Sequence, residues 1–391
     1  MTFINRVISV FNYEVVKIKK NRVYLTTLLI LPFVTILFFG VMFYEGTIEK
    51  LPIVVVDNDN SPMSRKLLSM ISATRSIEIA EYAPSINIAE ESMRRGDTYA
   101  ILLIPHHFER DIYAMVPTPI ECYISATNLS ASGVIESAVQ STLQTFSAGI
   151  SISKLMAKGI DQHDAILEVM PINFHSHIIS NPTINYGYYL APIFMYMSLA
   201  IFTILLSVYA IGNELYYSTA KNWMQLANNN VACATLGKLL PTTIVMSLYS
   251  QLILLVLFII MGMQCNGSYL LLSLGSLLFI VAYQAVAVAI VSITSNMRLS
   301  LSLGGGYAVM AFTFSGITFP RASMFVAARY LSYAFPLTWF SDIFVDQAMR
   351  GAPIIYSMPA VLSLLIFALT PLLVRRRLRG ISLIPKYWGR D

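Results

Sequence analysis

The sequence predicts a polytopic α-helical membrane protein with six transmembrane helices and an external α/β domain between spans 1 and 2. Charged residues make up only 12% of the 391 residues, against 56% hydrophobic residues, whereas soluble proteins average about 25% charged residues. Six long apolar stretches contain no Asp, Glu, Lys, Arg or His, and a polar segment separates the first from the second. This composition excludes an ordinary soluble enzyme, a disordered chain and a charged nucleic-acid-binding protein.

Residues 1–23 are predicted to form a cytoplasmic amphipathic helix that lies along the membrane surface. One helical face collects apolar residues at steps of three and four: Ile4, Ile8, Phe11, Val15 and Ile18. Lys19, Lys20 and Arg22 follow at the expected membrane edge, a pattern typical of interfacial helices. The alternative is a poorly ordered tail.

Six spans follow from length and hydrophobicity, because about 20 apolar residues in a helix cross the hydrocarbon core. The first, at 24–43, is interpreted as an uncleaved signal anchor, since no small-residue cleavage site follows it. The other five lie in 188–374: Tyr188–Gly212, Leu239–Met263, Tyr269–Ile293, Leu299–Pro320 and Pro353–Val374.

The distribution of basic residues predicts the orientation. Fourteen of the 26 Lys and Arg residues lie in the N-terminal arm, the stretch 213–238, the loop near Asn296 and the basic tail 375–391. Six crossings place these segments on one side. The prediction is therefore a plasma (inner) membrane protein with both termini in the cytoplasm and residues 45–187 outside.

Segment 45–187 reads as a small α/β domain with a mixed or parallel sheet, because short β-runs alternate with helical stretches. The predicted strands are Ile53–Asp57, Ile77–Tyr82, Tyr99–Ile104 and Ile120–Ser125. The predicted helices between them are Pro62–Ala73, Ile86–Arg95 and His106–Met115, and a longer helix follows Asn128.

Two further segments interrupt the spans. Residues 321–352 are rich in aromatic side chains but contain Pro336 and Asp342, which predicts a re-entrant or interfacial hairpin on the outer face. The cytoplasmic coupling loop 213–237 has room for a short helix over Glu214–Leu226, in which Trp223, Met224 and Leu226 offer apolar contact to a soluble partner.

Nucleotide hydrolysis by the chain itself is not expected. Gly237-Lys238 is followed by Leu239, and Ala232 stands five residues before Gly237, so the phosphate-binding loop pattern fails on both sides. The spans carry no charged relay of the kind that ion-coupled transporters use. Any energy for transport would therefore enter from outside the spans, and the chain is expected to be neither an enzyme nor a cofactor-binding protein.

Several side chains leave alternatives open. His106 with His107, and His175 with His177, are either surface histidines or metal ligands. Cys122 and Cys265 are either free thiols or a bridge, since both are predicted to be external. Gln251 and Gln284 are candidates to line a transport path, although hydrogen bonds between helices explain them equally well.

Four sequence motifs carry a family resemblance. Asp57, Asp59, Ser61, Ser64 and Arg65 form the pattern D-x-D-x-S-x-x-S-R, and Ile104, Pro105 and Phe108 form I-P-x-x-F. Glu214, Thr219 and Gly237-Lys238 follow in the coupling loop, and Pro336-Leu337-Thr338 in the hairpin. In this order, over nearly the whole chain, they resemble the permease subunits of ABC-2 type exporters, particularly bacterial multidrug-exporter permeases. The coupling loop departs from the family pattern at Lys221 and at Asn228-Asn229-Asn230.

The resemblance implies a permease that pairs with a second, identical or related permease. Each would dock a separate ABC ATPase subunit, which binds the ATP, through Glu214, Thr219, Trp223, Met224 and Leu226. ATP-driven closure would then push on the N-terminal helix and open a path for an amphiphilic drug, lipid or glycan. The external domain would suit docking to a periplasmic adaptor protein, and the spans contact membrane lipids.

Two other functions fit parts of the sequence. A membrane-anchored receptor or scaffold would use the external domain to bind a ligand or an envelope protein, but it would need fewer spans. A secondary transporter is disfavoured by the uncharged spans.

Overall fold

A computed structural model describes residues 2–114, 116–170, 179–181 and 184–389. The chain divides into a helical unit, formed by Met1–Gly46 with Ile178–Asp391, and an α/β unit, Thr47–His177. The predicted histidine pair at 175 and 177 falls outside the described residues. Three helices open the helical unit: α1 (Phe3–Lys20), α2 (Arg22–Leu29) and α3 (Leu31–Met42).

The α/β unit alternates strands and helices in chain order. Its elements are β1 (Leu51–Asp57), α4 (Pro62–Ser72), β2 (Ile77–Tyr82), α5 (Ile86–Arg95), β3 (Ala100–Ile104), α6 (Phe108–Ala114), β4 (Glu121–Ile124), α7 (Leu129–Ala157) and α8 (Gln162–Val169). The four predicted strands are thus present, each within a few residues of its predicted bounds.

A mixed four-stranded sheet organises this unit, in the order β2-β1-β3-β4. Strand β1 pairs in parallel with β2 and β3, and β4 pairs with β3 in antiparallel register. One face of the sheet packs against α4 and α7, whose Leu67, Ile71 and Ile135 are fully buried. The other face is covered by α5 through Ala89. Successive residues of β1 and β3 therefore pack into two apolar layers, one on each face of the sheet.

The helical unit resumes with nine further helices among the described residues. They are α9 (Tyr186–Tyr216), α10 (Ala220–Leu226), α11 (Val231–Leu255), α12 (Tyr269–Thr294), α13 (Met297–Phe314), α14 (Val326–Ser332), α15 (Pro336–Phe344), α16 (Ile354–Ala368) and α17 (Thr370–Leu383). Helices α9 and α12 are the most enclosed, whereas α3 and α16 expose large apolar side chains along most of their length.

Five helical segments among the described residues are long and apolar enough to cross a membrane. They are Arg22–Met42, Tyr186–Tyr216, Val231–Ile260, Tyr269–Thr294 and Ile354–Leu383. The remaining predicted span, Leu299–Pro320, corresponds to α13, which has 18 residues and includes Arg298 and three consecutive glycines. At 1.5 Å per residue α13 is about 27 Å long. Its crossing, and with it the count of six, stays a prediction.

The segment predicted as a hairpin contains α14 and α15. Phe340 of α15 is fully buried, with its ring centre 4.2 Å from that of Tyr196 on α9. Phe325 and Tyr330, before and within α14, are instead 74% and 71% exposed. The aromatic side chains of this segment thus divide into a set that fills the core and a set that remains outside.

Helix α1 packs on α11, and its buried residues are Val10, Glu14 and Ile18. Of the apolar stripe predicted to lie along the membrane, Ile18 is buried, whereas Ile4 and Ile8 are exposed. A Cβ atom at Gly237 of α11 would lie 2.6 Å from the Val7 carbonyl oxygen and 2.7 Å from Val10 Cβ. Glycine at this position therefore permits the close approach of the two helices. The exposed isoleucines remain available to lipid.

Candidate functional site

A buried ionic cluster lies where α1, α9 and α11 meet. Its four members, the ion cluster, are Glu14, Lys17, Glu214 and Lys238. The side chains of Glu14 and Lys238 are 1% exposed and that of Glu214 is fully buried. The Lys238 ammonium forms ion pairs with both carboxylates and so joins α1 to α9 through α11.

The helices fix these positions. Glu14 and Lys17 are three residues apart, so they lie on one side of α1 and about one turn apart. Glu214 lies in the last turn of α9, which runs past the predicted end of the span. Lys238 lies two turns into α11, whose first turn is capped by the Asn230 side chain accepting from the Cys233 amide.

Charge balance stabilises the cluster. The Lys17 ammonium lies 2.7 Å from Glu214 Oε1, so two carboxylates face two ammonium groups. Burial raises the pKa of the Glu14 carboxyl above its ordinary value, although Lys238 opposes that effect. Burial lowers the pKa of Lys17, but the hydrogen bond and charge of Glu214 outweigh it, and the net pKa is raised. Removing one partner of such a buried pair is costly, since the other charge remains desolvated.

Hydroxyl groups and rings complete the surroundings of the cluster. The Tyr24 hydroxyl donates to Glu14 Oε1 at 3.0 Å, and the Tyr13 hydroxyl donates to Glu214 Oε2 at 3.4 Å. The hydroxyl of Thr219 also donates to Glu214. Lys238 Nζ lies 5.3 Å from the centre of the Tyr13 ring, within the range of a cation–π contact. Both carboxylates of the cluster are therefore bound by hydroxyl groups as well as by ammonium groups.

The predicted docking residues divide by exposure. Trp223 and Met224 are fully buried, so neither offers the apolar surface that the sequence predicts. The Trp223 indole donates to the Ala234 carbonyl at 3.0 Å and thereby fixes α10 on α11. Glu214 is buried in the ion cluster, while Leu226 is 39% exposed. Trp223 and Met224 face inward because α10 packs on another helix of its own chain.

A polar surface with one aromatic and one apolar residue remains on the outer side of this helix. We call it the α10 surface. Its exposed residues are Tyr217, Lys221, Asn222, Gln225, Leu226 and Asn228. Thr219, which precedes α10, connects this surface to the ion cluster, because Lys17 Nζ also donates to Thr219 Oγ1 at 3.4 Å.

Left-handed turns flank α10. Ser218 has φ of 57° before the helix, and Asn228 and Asn229 have φ of 53° and 58° after it. Asparagine adopts this region more readily than most residues, which gives a structural reason for Asn228 and Asn229, whereas Asn230 caps α11. The Asn229 amide donates to the Met224 carbonyl at 2.8 Å. The short helix is thus held at both ends.

The D-x-D-x-S-x-x-S-R motif forms the turn between β1 and α4. Asp57 Oδ1 accepts from the amides of Asp59 and Asn60, each at 3.0 Å. Its Oδ2 accepts from the Ser64 hydroxyl at 2.7 Å. Ser61 caps α4 by accepting from the Ser64 amide, and Arg65 donates to the Asn60 carbonyl at 2.6 Å. The motif therefore builds a rigid turn.

The second motif meets the first at the same end of the sheet. Asp59 Oδ2 accepts from the Glu109 amide at 3.0 Å, in the first turn of α6. Phe108 is buried, and its ring stacks on Phe146 of α7 with centres 6.3 Å apart. Pro105 follows directly after β3 and leads into α6. The two motifs thus join the turns that follow the parallel strands β1 and β3.

Gln251 and Gln284 both link α11 to α12. Thr243 on α11 donates to Gln284 Oε1 at 2.8 Å, and Ser273 on α12 donates to Gln251 Oε1 at 3.2 Å. The sequence left two roles open for these glutamines, and hydrogen bonding between helices is the one seen here. A role in lining a path stays a prediction for both.

The histidines His106 and His107 lie exposed on the surface, with ring centres 6.4 Å apart. Within the described ranges, no three His, Cys, Asp or Glu side chains gather in a way that could hold a metal ion. Cys122, Cys233 and Cys265 are free thiols, and burial raises the pKa of Cys122 to about 11.

Sequence reasoning missed half of the ion cluster. Glu14 is the one acidic residue of the arm 1–23, and it lies four residues from both Val10 and Ile18. An acidic residue on an apolar stripe in a basic arm is the signal that could have indicated a buried partner. The partners themselves are about 200 residues away in sequence, so periodicity could not identify them.

Comparison with known proteins gives one match. A family model described as "ABC-2 family transporter protein" matches residues 22–374 of the 391. The search of curated proteins gave no match. The matched region includes α2 to α16, the α/β unit, Glu214 and Lys238, but not α1.

Proposed function

The chain belongs to the ABC-2 family of transporter proteins, and we propose that it is a permease whose transport is driven by a separate ATP-binding subunit docked on the α10 surface. Family membership makes it a multi-pass membrane component of an ABC transporter. The sequence offers no phosphate-binding loop, so the ATP-binding subunit is the expected source of work.

The single observation that carries the proposal is the double ion pair of Lys238 with Glu14 and Glu214. It joins the N-terminal helix, the end of α9 and the start of α11 directly beneath the α10 surface. The Trp223 bond to Ala234 fixes α10 to the same body. A force applied to α10 would therefore move three helices together instead of bending a loop.

The chemistry of the α10 surface supports a protein partner. Tyr217, before the helix, is 64% exposed and Leu226, at its end, is 39% exposed, and Lys221, Asn222 and Gln225 between them offer donors and acceptors. Protein interfaces usually combine aromatic and apolar side chains with polar ones. Trp223 and Met224 support this surface from below.

The remaining parts of the proposal concern the assembly. Two permeases, identical or related, would pair in the membrane with both termini in the cytoplasm and the α/β unit outside. The substrate class that the family resemblance implies is an amphiphile: a drug, a lipid or a glycan. The rigid turns at one end of the α/β sheet would suit a periplasmic adaptor where the cell has two membranes.

Co-purification tests the docking site. We would co-express the chain with a candidate ABC ATP-binding subunit from the same genome and purify the pair in mild detergent. The double variant Lys221→Glu with Leu226→Asp should lose the ATP-binding subunit while the chain elutes unchanged. Trp223→Ala is a poor probe, because truncating a buried Trp costs about 3–5 kcal/mol of stability.

The matched control changes the same residue types elsewhere. Lys66 and Ile88 are both exposed on helices of the α/β unit. Lys66→Glu with Ile88→Asp should retain the ATP-binding subunit at the wild-type ratio. Equal retention by both double variants would reject docking at the α10 surface.

A further inference from the structure

An open cleft lies between α11, α12 and α17 in the helical unit, away from the ion cluster. Its volume is about 690 Å³, within the range of about 300–1,000 Å³ typical of small-molecule sites. Most of its lining is apolar, with Leu236, Leu239 and Leu240 on α11 and Val281 and Val288 on α12. A molecule that fills it must therefore be largely apolar.

One end of the cleft is strongly basic. Arg375, Arg376 and Arg379 of α17 line it together with Asn229 and Asn230, which precede α11. Among the residues that the structure describes, none of the three guanidinium groups has a hydrogen bond or an ion pair. All three side chains are exposed, and three cations at one end of an apolar cleft favour a ligand that carries an anionic group.

Helix α17 is held so that these arginines face the cleft. Arg377 donates to the Ser292 and Ile293 carbonyls at the end of α12, at 2.6 and 3.0 Å. Leu372, Arg375 and Arg379 are spaced by three and four residues, Arg376 follows Arg375 directly, and all four line the cleft. One arginine thus anchors the helix and three others line the site.

The opposite end of the cleft offers no unsatisfied polar group. Gln284 lies there, but its side chain is 4% exposed, accepts from Thr243 and donates to the Leu239 carbonyl at 3.4 Å. From Ala232 to Thr243 the cleft follows α11 for about 17 Å, at 1.5 Å per residue. That is roughly half of the about 30 Å hydrocarbon core, the depth of one leaflet.

We propose that this cleft binds one anionic phospholipid, with its phosphate against Arg375, Arg376 and Arg379 and an acyl chain along α11. Leu236, Leu240 and Leu372 are 55%, 39% and 57% exposed, so the cleft opens sideways to the bilayer. Basic pockets between transmembrane helices bind anionic headgroups in this way. The bound lipid would hold α17 on α11, next to Asn228 at the end of the α10 surface.

The proposal rests on insertion of the helical unit in a membrane and not on docking of an ATP-binding subunit. Its test uses the full chain purified in mild detergent and examined by native mass spectrometry. Wild type should retain one phosphatidylglycerol when supplied with equal phosphatidylglycerol and phosphatidylcholine. Arg375→Gln with Arg376→Gln and Arg379→Gln should weaken this binding about 100-fold, from the usual contribution of each basic residue near a headgroup.

A charge-matched control separates the site from general surface attraction. Lys19→Gln with Lys20→Gln and Arg22→Gln removes three exposed positive charges at the end of α1 and the start of α2, and should leave phosphatidylglycerol binding unchanged. Equal loss in both triple variants would overturn the proposal.

Two further measurements decide the outcome even where the triple arginine variant does not fold. Ala232→Phe fills the mouth of the cleft while keeping the arginines, and it should abolish retention. Inorganic phosphate at millimolar concentration should not displace the lipid. Equal retention of phosphatidylcholine, unchanged binding by Ala232→Phe, or full displacement by phosphate would each overturn the proposal, the last by indicating a site for a free anion.

Discussion

The ammonium of Lys17 lies 2.7 Å from Oε1 of Glu214, which ties the N-terminal helix α1 to the end of α9. Lys238 bonds to the same carboxylate oxygen from α11 and to Glu14 on α1. Glu214 is thus shared by two cations from two helices. The α10 surface begins three residues later, and Thr219, which precedes α10, donates to the Glu214 carboxylate.

Neutralising Lys238 should destabilise the helical unit strongly. Lys238→Met leaves the carboxylates of Glu14 and Glu214 buried, with Lys17 as the remaining cation of the ion cluster. The free energy of unfolding should fall by about 3–5 kcal/mol. Thermal unfolding followed by size-exclusion chromatography measures the change. Adding Glu14→Gln to Lys238→Met restores the charge balance and should recover a large part of the lost stability. An unfolding temperature unchanged in the single variant would show that the cluster does not hold the helices together.

Adding a methyl group at Gly237 should force α1 away from α11. The new Cβ would lie 2.6 Å from the Val7 carbonyl oxygen, which belongs to a helical backbone and cannot rotate away. Gly237→Ala should cost about 1–3 kcal/mol, as overpacked positions do. Gly306→Ala on α13 is the matched control, since nothing lies within 4 Å of its added Cβ. Equal unfolding temperatures for the two variants would contradict the packing of α1.

The turn that Asp59 organises should loosen in acid. Burial raises the pKa of the Asp59 carboxyl. Hydrogen bonds from the Ser61 hydroxyl and from the amides of His107, Phe108 and Glu109 lower this pKa by more than burial raises it, so the net pKa is depressed. A depressed pKa gives stability that is present above the ordinary value and is lost as pH falls through the folded value.

Hydrogen exchange of the α6 peptide, corrected for intrinsic rates, measures this effect. Exchange should rise in wild type as the pH falls from about 5 towards 3. Asp59→Asn should exchange faster at every pH and show no such rise. Asp97→Asn, which removes an exposed carboxylate bound to Arg95, should behave as wild type. A rise of equal size in Asp59→Asn would refute the role of Asp59.

Topology reporters test the sixth crossing. If α13 crosses the membrane, truncations fused after Asn296 and after Pro320 end on opposite sides. A fluorescent reporter that matures only in the cytoplasm should therefore be bright at the first position and dark at the second, and a periplasmic phosphatase should give the reverse. Equal signals at both positions would leave five crossings and place the two termini on opposite sides.

Local pattern sufficed for most elements but not for the ion cluster. The strands β1 and β3 and helices α4 and α5 were predictable because β-runs, caps and helical periodicity are local signals. Span boundaries were less accurate, since α9 continues to Tyr216 and α11 already begins at Val231. Glu214 and Lys238 therefore lie in helices rather than in a loop, where their charges are neutralised by α1.

The face of α1 shows why tertiary contacts cannot be read from periodicity alone. Ile4 and Ile8 form an apolar stripe, but the buried stripe is Val10, Glu14 and Ile18. Both stripes have helical spacing, and only the partner helix decides between them. Similarly, Trp223 and Met224 appear as a surface in the sequence because the residues that cover them, Ala234 among them, come later in the chain.

Hydrogen exchange of the chain in lipid nanodiscs, with and without the ATP-binding subunit, is the direct test of docking on the α10 surface. Exchange in the peptide covering residues 217–228 should slow on addition of that subunit, with a smaller change in α1. In Lys17→Gln the slowing over residues 217–228 should persist and the change in α1 should shrink. Unchanged exchange over residues 217–228 in a complex shown to be assembled would contradict docking on the α10 surface.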